Sequence, residues 1–405
     1  MTREPALVIA GAGVAGLTLA LALARHGLAA RLYERAPELT EVGAGLQLSP
    51  NATRLLGRLG VLDTLAPAAI APQAVVLRQA ASLETLARVR LGAAAEARWG
   101  APYLVAHRAD LQAALLKRVR EEASIELVTG ALVEKADFVR GGGVRLSLRR
   151  GGASEDVHTP LLIGADGVWS HLRRLARTSV RSRFTGHVAW RTTLPAEDAA
   201  GLGEFMPHDQ VTAFLDPRFH LIAYPVSGGS RLNIVAIVPG EVPLNAWEQD
   251  ADDRPLRKAL QSAHHAFARL SRATPSWTVW PIHQVDAKAA WTRPEGLALL
   301  GDAAHAVPPF AAQGAAMAIE DAVVLAACLA RRPDNRPAAL ADYERIRKPR
   351  VVRVARRGAF NRLAWHAGGP VALVRDAVLK MRGETTLMAD FDWLYGFDAE
   401  AGQHR

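Results

Sequence analysis

Two acidic residues each follow an apolar run and stand beside a glycine: Asp166 in "LLIGADGVWSHLR" and Asp302 in "LALLGDAAH". An acid at the carboxyl end of a strand, next to a turn, is where an α/β sheet presents groups to a ligand lying across it. Either acid could equally cap a following helix. A third acid, Glu34, ends the run "ARLYE" about 20 residues beyond the glycines of "GAGVAG". Gly11, Gly13 and Gly16 form G-x-G-x-x-G. The first glycine permits a tight turn, the second lets the backbone approach a pyrophosphate, and the third lets a helix pack closely on a strand. A carboxylate in the place of Glu34 would accept hydrogen bonds from ribose hydroxyls. Ala15 within the turn and Arg35 after the acid complete the candidate dinucleotide set.

No other residue set competes for the chemistry. The single cysteine, Cys328, excludes intramolecular disulfides and cysteine-based zinc or iron–sulfur sites. It lies in "AVVLAACLA" and reads as a small core residue. The thirteen histidines show no metal-ligand spacing, and neither a P-loop nor G-x-S-x-G is present. No metal is expected, and the chemistry points to an organic cofactor. At 405 residues, 50% hydrophobic and 22% charged, the chain reads as globular with two or three domains. Its 49 basic and 40 acidic residues leave a modest net charge of +9, which can draw in anionic substrates or a nicotinamide cofactor. The densest basic stretch, "RIRKPRVVRVARR", repeats Arg347, Arg350, Val354 and Arg357 at helical spacing and reads as a solvated helix face. No aromatic residues interleave with it, so nucleic acid is not an expected partner.

The elements that must position these groups begin with an ambiguity. From Ala6 to Ala24 no residue is charged and only Thr18 is polar, close to the about 20 apolar residues of a membrane span. A secretion signal would want a net positive start, whereas Arg3 and Glu4 cancel. Dividing the run into a strand "ALVIA", the glycine turn and a buried helix closed by Gly27 accounts for every residue. On that reading no membrane is involved, and the expected location is the cytoplasm. Downstream, "GAGLQLSPNATRLLGRLGV" reads as a loop into a short helix, and residues 107–123 as an amphipathic helix. Residues 159–176 read as strand, Gly-Asp-Gly turn and helix, and 180–285 as an antiparallel sheet with alternating apolar residues.

In this order the motifs resemble those of the single-component FAD-dependent aromatic hydroxylases, in particular the salicylate, 3-hydroxybenzoate and 6-hydroxynicotinate branch. The resemblance rests on the fingerprint at 11–16, "EVGAGLQLSPNATRLLGRLG", "HRADL", "LIGADGVWSHLR", "FTGHVAWR", "GDAAHAVPPFAAQGAAMAIEDA" and "WLYGFDA", and spans nearly the whole chain. It implies an α/β fold like that of p-hydroxybenzoate hydroxylase, with a Rossmann-type FAD-binding domain from 1–72, 100–178 and 286–340. An inserted antiparallel-sheet substrate domain would come from 73–99 and 179–285, and a C-terminal helical segment from 341–405. FAD would be held without a covalent bond by Gly11, Gly13, Ala15, Gly16, Glu34, Arg35, Arg108, Asp166, Asp302, Gly314 and Ala315. NAD(P)H would be a transient co-substrate, and dioxygen would form a flavin C4a-hydroperoxide that hydroxylates an electron-rich ring.

The resemblance also implies a substrate pocket. His220 and Tyr224, four apart on a predicted strand and so on one face, would assist loss of a phenolic proton. Gln47 would orient the substrate, Pro309 and Phe310 would wall the ring site, and Arg191 would meet a substrate carboxylate or else form a structural salt bridge. His305 reads as structural. The substrate implied is a small aromatic or N-heteroaromatic acid or phenol, and the assembly a monomer or homodimer. Two alternatives stay open: a bulkier polycyclic substrate, and a flavin-binding protein without turnover.

Overall fold

A computed structural model describes residues 7–39, 44–176, 180–241 and 252–401. Positions 41–43 of the "EVGAGLQL" motif lie outside them. One sheet carries the nucleotide fingerprint. Its strand order is Thr292–Arg293, Leu297–Leu299, Leu162–Gly164, Leu7–Ala10, Ala30–Glu34 and Ile125–Thr129. All neighbours are parallel except the first pair. The strands that end in Glu34, in Asp166's turn and in Asp302's turn therefore deliver all three acids to the same end of the sheet, as parallel strands must.

The Val14–Arg25 helix settles the membrane question by packing. It lies among the strands, the Arg108–Glu121 helix and the Gly314–Arg331 helix, and Val14 and Gly16 to Leu23 are buried. A helix covered on every side is apolar on every side. Its one polar residue, Thr18, donates its hydroxyl to the Val14 carbonyl at 2.6 Å. Gly27 takes φ +72 just past the helix, the conformation the C-terminal stop requires. No described helix is long and apolar enough to cross a membrane.

A second, seven-stranded sheet follows the order Thr278–Gln284, Arg183–Pro195, Arg231–Pro239, His220–Val226, Val211–Leu215, Ala74–Gln79, Thr85–Arg90. It is antiparallel except where Val211–Leu215 runs parallel to Ala74–Gln79. The antiparallel reading of 180–285 left out two helices, Arg254–Gln261 and His265–Ala273, whose Leu256, Leu260, Phe267 and Leu270 cover the sheet's outer face. Likewise, part of the expected loop before the Pro50–Arg58 helix is a strand, Gly45–Leu48, paired with Leu104–His107.

The Gly314–Arg331 helix and the C-terminal helices meet at a buried ionic cluster. Glu320 and Asp321, adjacent on the Gly314–Arg331 helix, are both fully buried. Arg347 on the Arg336–Trp365 helix donates to Asp321 at 2.7 Å and Glu320 at 2.5 Å. Arg350 grips Glu320 at 2.8 and 3.0 Å and donates on to the carbonyls of Trp393 and Leu394. This corrects the expectation of a solvated face: Arg347, Arg350 and Val354 point inward because two carboxylates await them on the neighbouring helix. Asn51 also donates to Glu320, and Gln313 bridges Asn51 and Ser49. His305 and the Gly301 amide both meet Asp321, a structural role for His305 as expected.

Removing one partner of a buried pair leaves an uncompensated charge and costs about 3–5 kcal/mol. Arg347→Met should show a loss of that size in urea unfolding at pH 7. Burial pushes the Asp321 carboxyl up, but His305 and Arg347 outweigh it and hold it at about 2, below the ordinary 3.8. A depressed carboxyl stabilises the fold above its unfolded value and loses that contribution as pH falls through the folded one. Wild-type stability should therefore fall between pH 3.8 and about 2, and the gap to the Arg347 variant should narrow over the same window.

Candidate active site

The glycine turn is built by contact. Gly11 has φ +107, and a Cβ on it would stand 2.5 Å from the Ala165 carbonyl oxygen. A Cβ on Gly16 would stand 1.9 Å from the Gly11 carbonyl oxygen. Around Gly13, by contrast, nothing lies within 4 Å of such an atom. Two glycines are thus required by the protein's own packing, and the third leaves room for something else to approach. Glu34 braces the turn: its carboxylate accepts from the Ala12 amide at 2.8 Å and the Ala36 amide at 2.9 Å. Arg35 beside it is exposed.

The other two acids are tied together by Arg173. Its guanidinium donates to the carbonyls of Ala303, Val168, Asp302 and Gly167, at 2.7, 3.0, 3.2 and 3.4 Å. One buried cation so fixes both strand-end turns relative to each other. Asp166 does cap, as its alternative reading held: one oxygen accepts from the His171 and Leu172 amides. Its other oxygen is buried without a hydrogen-bond partner among the described residues.

A cleft of about 280 Å³ runs from this turn to the second sheet. It brings together Gly13, Ala15, Gln47, Arg108, Arg191, Tyr224, Asp302, Pro309, Gly314 and Ala315. Gly11, Gly16, Glu34, Arg35, Asp166, His220 and Phe310 do not line it. At its floor Ala312 adopts φ +51, a conformation costly for a residue with a side chain, and turns the chain into the Gly314–Arg331 helix. The helix has no side-chain cap, so its first amides face the cleft with the positive end of the helix dipole. Gly13's open space and this uncapped helix start fit the phosphates and ring edge of FAD.

The cleft's far wall follows strand parity. Tyr224, Ile222 and His220 share one face of their strand, and Arg191, Ala189 and His187 one face of the next but one. Tyr224 and Arg191 reach the cleft, whereas His220 is covered by Phe310, whose ring centroid lies 5.2 Å away. His220 Nδ1 meets His366 Nε2 at 3.1 Å, and its Nε2 is buried without a hydrogen-bond partner among the described residues. Burial pulls the His220 ring well below its usual pKa, and His366 and His187 add to this. Burial and His187 likewise bring His366 to about 4. Gln47 is held by the Tyr103 hydroxyl at 2.6 Å.

Arg191 has no carboxylate partner among the described residues; its guanidinium lies 5.2 Å from the Trp280 ring centroid and its Nε is buried unpaired. Burial lowers its pKa to about 10, with Arg108 adding repulsion, so it stays cationic at neutral pH. Sequence reading missed Ile222, Val235 and Ile237 on this wall, although alternation along "RLNIVAIVP" marks the last two as sharing a face. It also missed His366 and Trp280, for which no sequence signal existed.

The contrast among glycines is testable. Gly16→Ala should lower stability by several kcal/mol, since backbone must move to admit the methyl group. Gly13→Ala should leave the unfolding midpoint of flavin-free protein unchanged and weaken FAD binding at least about tenfold by flavin-fluorescence titration, about 1.4 kcal/mol. Equal flavin affinity in Gly13→Ala and wild type would refute the assignment.

Residues 4–358 match the FAD binding domain family. The 3-amino-4-hydroxybenzoate 2-monooxygenase of Streptomyces cremeus is 36% identical over 97% of this chain and 95% of its own. The 3-hydroxybenzoate 6-hydroxylase of Polaromonas naphthalenivorans is 30% identical over 98% of each. Among solved structures, Klebsiella pneumoniae HpxO complexed with FAD and uric acid is 26% identical, with a TM-score of 0.81 over 95% of both chains. The glycine turn, the paired strand-end acids and this similarity along the whole chain agree: the protein belongs to the FAD-binding-domain family of FAD-dependent aromatic hydroxylases and is an FAD-dependent monooxygenase.

Proposed function

We propose that the enzyme uses NAD(P)H and dioxygen to hydroxylate a small electron-rich aromatic or N-heteroaromatic acid, in the cytoplasm. The observation that carries this is Arg191, a cation with no carboxylate partner among the described residues, set in the wall opposite the glycine turn. Arg108 and Asp302 also line the cleft. An unpaired buried charge is expensive, and a substrate carboxylate would neutralise it with a charge-assisted pair. Relatives named for 3-hydroxybenzoate and 3-amino-4-hydroxybenzoate support the same substrate class.

Size argues in the same direction. The cleft's roughly 280 Å³ is at the small end of ligand sites, about 300–1,000 Å³, and it must admit a flavin ring as well. That favours a single ring over a polycycle. In this reading residues 1–72, 100–178 and 286–340 hold the flavin, and 73–99 with 179–285 hold the ring.

Bound FAD supplies hydride uptake from the nicotinamide and activation of dioxygen. The chain's own groups bind and orient the ring and manage its proton. Arg191 anchors the carboxylate, and Gln47, fixed by Tyr103, orients the ring plane. Tyr224, whose hydroxyl burial keeps protonated although Arg191 opposes the shift, donates toward a ring hydroxyl. His220, neutral at physiological pH, takes the hydroxyl proton through an intervening hydroxyl or water. Pro309 and Phe310 close that side against solvent.

Arg191→Met should raise KM for hydroxylated benzoates about 100-fold, the worth of about 2.7 kcal/mol, while KM for the matching phenol without a carboxylate stays within threefold of wild type. Unchanged KM for both in coupled NADH oxidation and product assays would refute the anionic-substrate reading. Because the His220 pKa is lowered, the proton-accepting form persists as pH falls, so wild-type kcat/KM should hold to pH values below the ordinary 6.5. His220→Gln should remove that acid limb and lower kcat; a surviving limb would exclude His220 as the acceptor.

A further inference from the structure

The turn at the floor of the cleft is held from outside by a helix that does not line it. Pro309 and Ala312 face the cleft, and Ala312 sits at φ +51 and ψ +35. A residue with a side chain keeps that left-handed conformation only where its surroundings over-determine it. On the inner side Gln313 does so, donating to Ser49 Oγ at 2.9 Å and accepting from Asn51 at 3.2 Å. On the outer side the last turns of the Arg336–Trp365 helix take that part. Gly358 is buried, and a Cβ on it would stand 3.8 Å from both the Pro308 carbonyl oxygen and the Ala311 Cβ. The helix backbone therefore packs directly on the turn. Asn361, three residues on and so on the same face, donates its amide to the Phe310 carbonyl at 2.9 Å. Trp365, four further along, brings its ring to 5.1 Å from that of His220. The Phe310 ring is fixed by packing against Ala189, Ile237 and Ile282, and its carbonyl by Asn361.

We propose that Asn361 is a positioning residue for oxygen transfer. By holding the Phe310 carbonyl it keeps the Pro309–Ala312 turn closed against solvent, and so sets how much dioxygen ends in the ring rather than in hydrogen peroxide. The inference rests on the FAD-dependent monooxygenase activity and not on which ring is hydroxylated.

Two outcomes compete for the same electrons. In both, NAD(P)H gives up a hydride and the solvent a proton. Coupled turnover breaks the O–O bond, placing one oxygen in a ring C–H bond and the other in water. Uncoupled turnover leaves the O–O bond intact and releases both oxygens as hydrogen peroxide. Excluding water from a closed site suppresses the second outcome. A strained turn is the part of the wall that relaxes first when a contact specifying it is lost. Asn361 itself does not line the cleft, so its loss leaves the surfaces that bind flavin and substrate in place.

The test compares flavin-loaded wild type with Asn361→Leu, close in size and unable to donate, and with Asn361→Asp, whose carboxylate also lacks a donor. Two quantities are read. Iodide quenching of the bound flavin's fluorescence reports solvent access without turnover. The ratio of hydrogen peroxide to hydroxylated product, with 3-hydroxybenzoate and NADH or NADPH, reports coupling. Both variants should show quenching raised at least about twofold and the peroxide ratio at least about fivefold, with nicotinamide oxidation within about twofold of wild type. FAD affinity and the unfolding midpoint should change little, because Asn361 is half-buried. The aspartate variant decides if the leucine variant fails to fold. Quenching equal to wild type in a folded variant would overturn the proposal. So would a lowered unfolding midpoint with an unchanged peroxide ratio, which is what a merely structural contact gives. If wild type makes no product from 3-hydroxybenzoate, the substrate reading fails, and the iodide comparison still decides the role of Asn361.

Discussion

Two carboxylates side by side on one turn of a buried helix repel each other unless cations are brought to them. Glu320 and Asp321 are in that position, and much of the molecule is arranged around their neutralisation. Arg347 and Arg350 come from the next helix, His305 from the turn after Asp302, and Asn51 from the first turn of the Pro50–Arg58 helix. Several of these partners hold neighbouring segments in place. The Asp302 turn is held through the Gly301 amide, the Gly314 helix start through Gln313 and Ser49, and the C-terminal aromatic segment through Arg350 and two carbonyls. In a low-dielectric interior such a network is favourable only when every member is satisfied, so it permits one arrangement of these pieces and penalises others.

The cleft itself is assembled from two unlike surfaces. On the side of the glycine turn backbone dominates: glycine contacts, amides and a helix start, with Arg173 stapling two turns through their carbonyls. On the other side regular strands present side chains at every second position, so single residues there can change without disturbing the glycine turn. Phe310 and the turn around it are the joint between them, packed against Ala189, Ile237 and Ile282 of the sheet.

What was legible in the sequence was local. The glycine turn, its acid and the strand-end aspartates depend on residues within a few positions of one another, and all stand at one end of the first sheet. Misreadings came where the answer lay far along the chain. Helical spacing shows that Arg347 and Arg350 share a face, but not that Glu320 and Asp321 cover it. Parity places His220 and Tyr224 on one side of a strand, but which end stays open depends on Phe310, ninety residues on by number and brought there by the fold. Glu34 illustrates a different limit: its position in the fingerprint was readable, while its bonds to the amides of Ala12 and Ala36 were not.

The apolar helix after the glycine turn has a consequence for synthesis. Its main cover, the Gly314–Arg331 helix, lies roughly 300 residues downstream, so at about 5–20 residues per second the early segment waits on the order of 15–60 s for it. Over that interval the most hydrophobic stretch of the nascent chain has no native partner for one side. The fold that makes it harmless in the finished enzyme therefore leaves it, during translation, in need of a chaperone or a non-native collapse to shield it from aggregation and from the membrane-targeting machinery it resembles a substrate for.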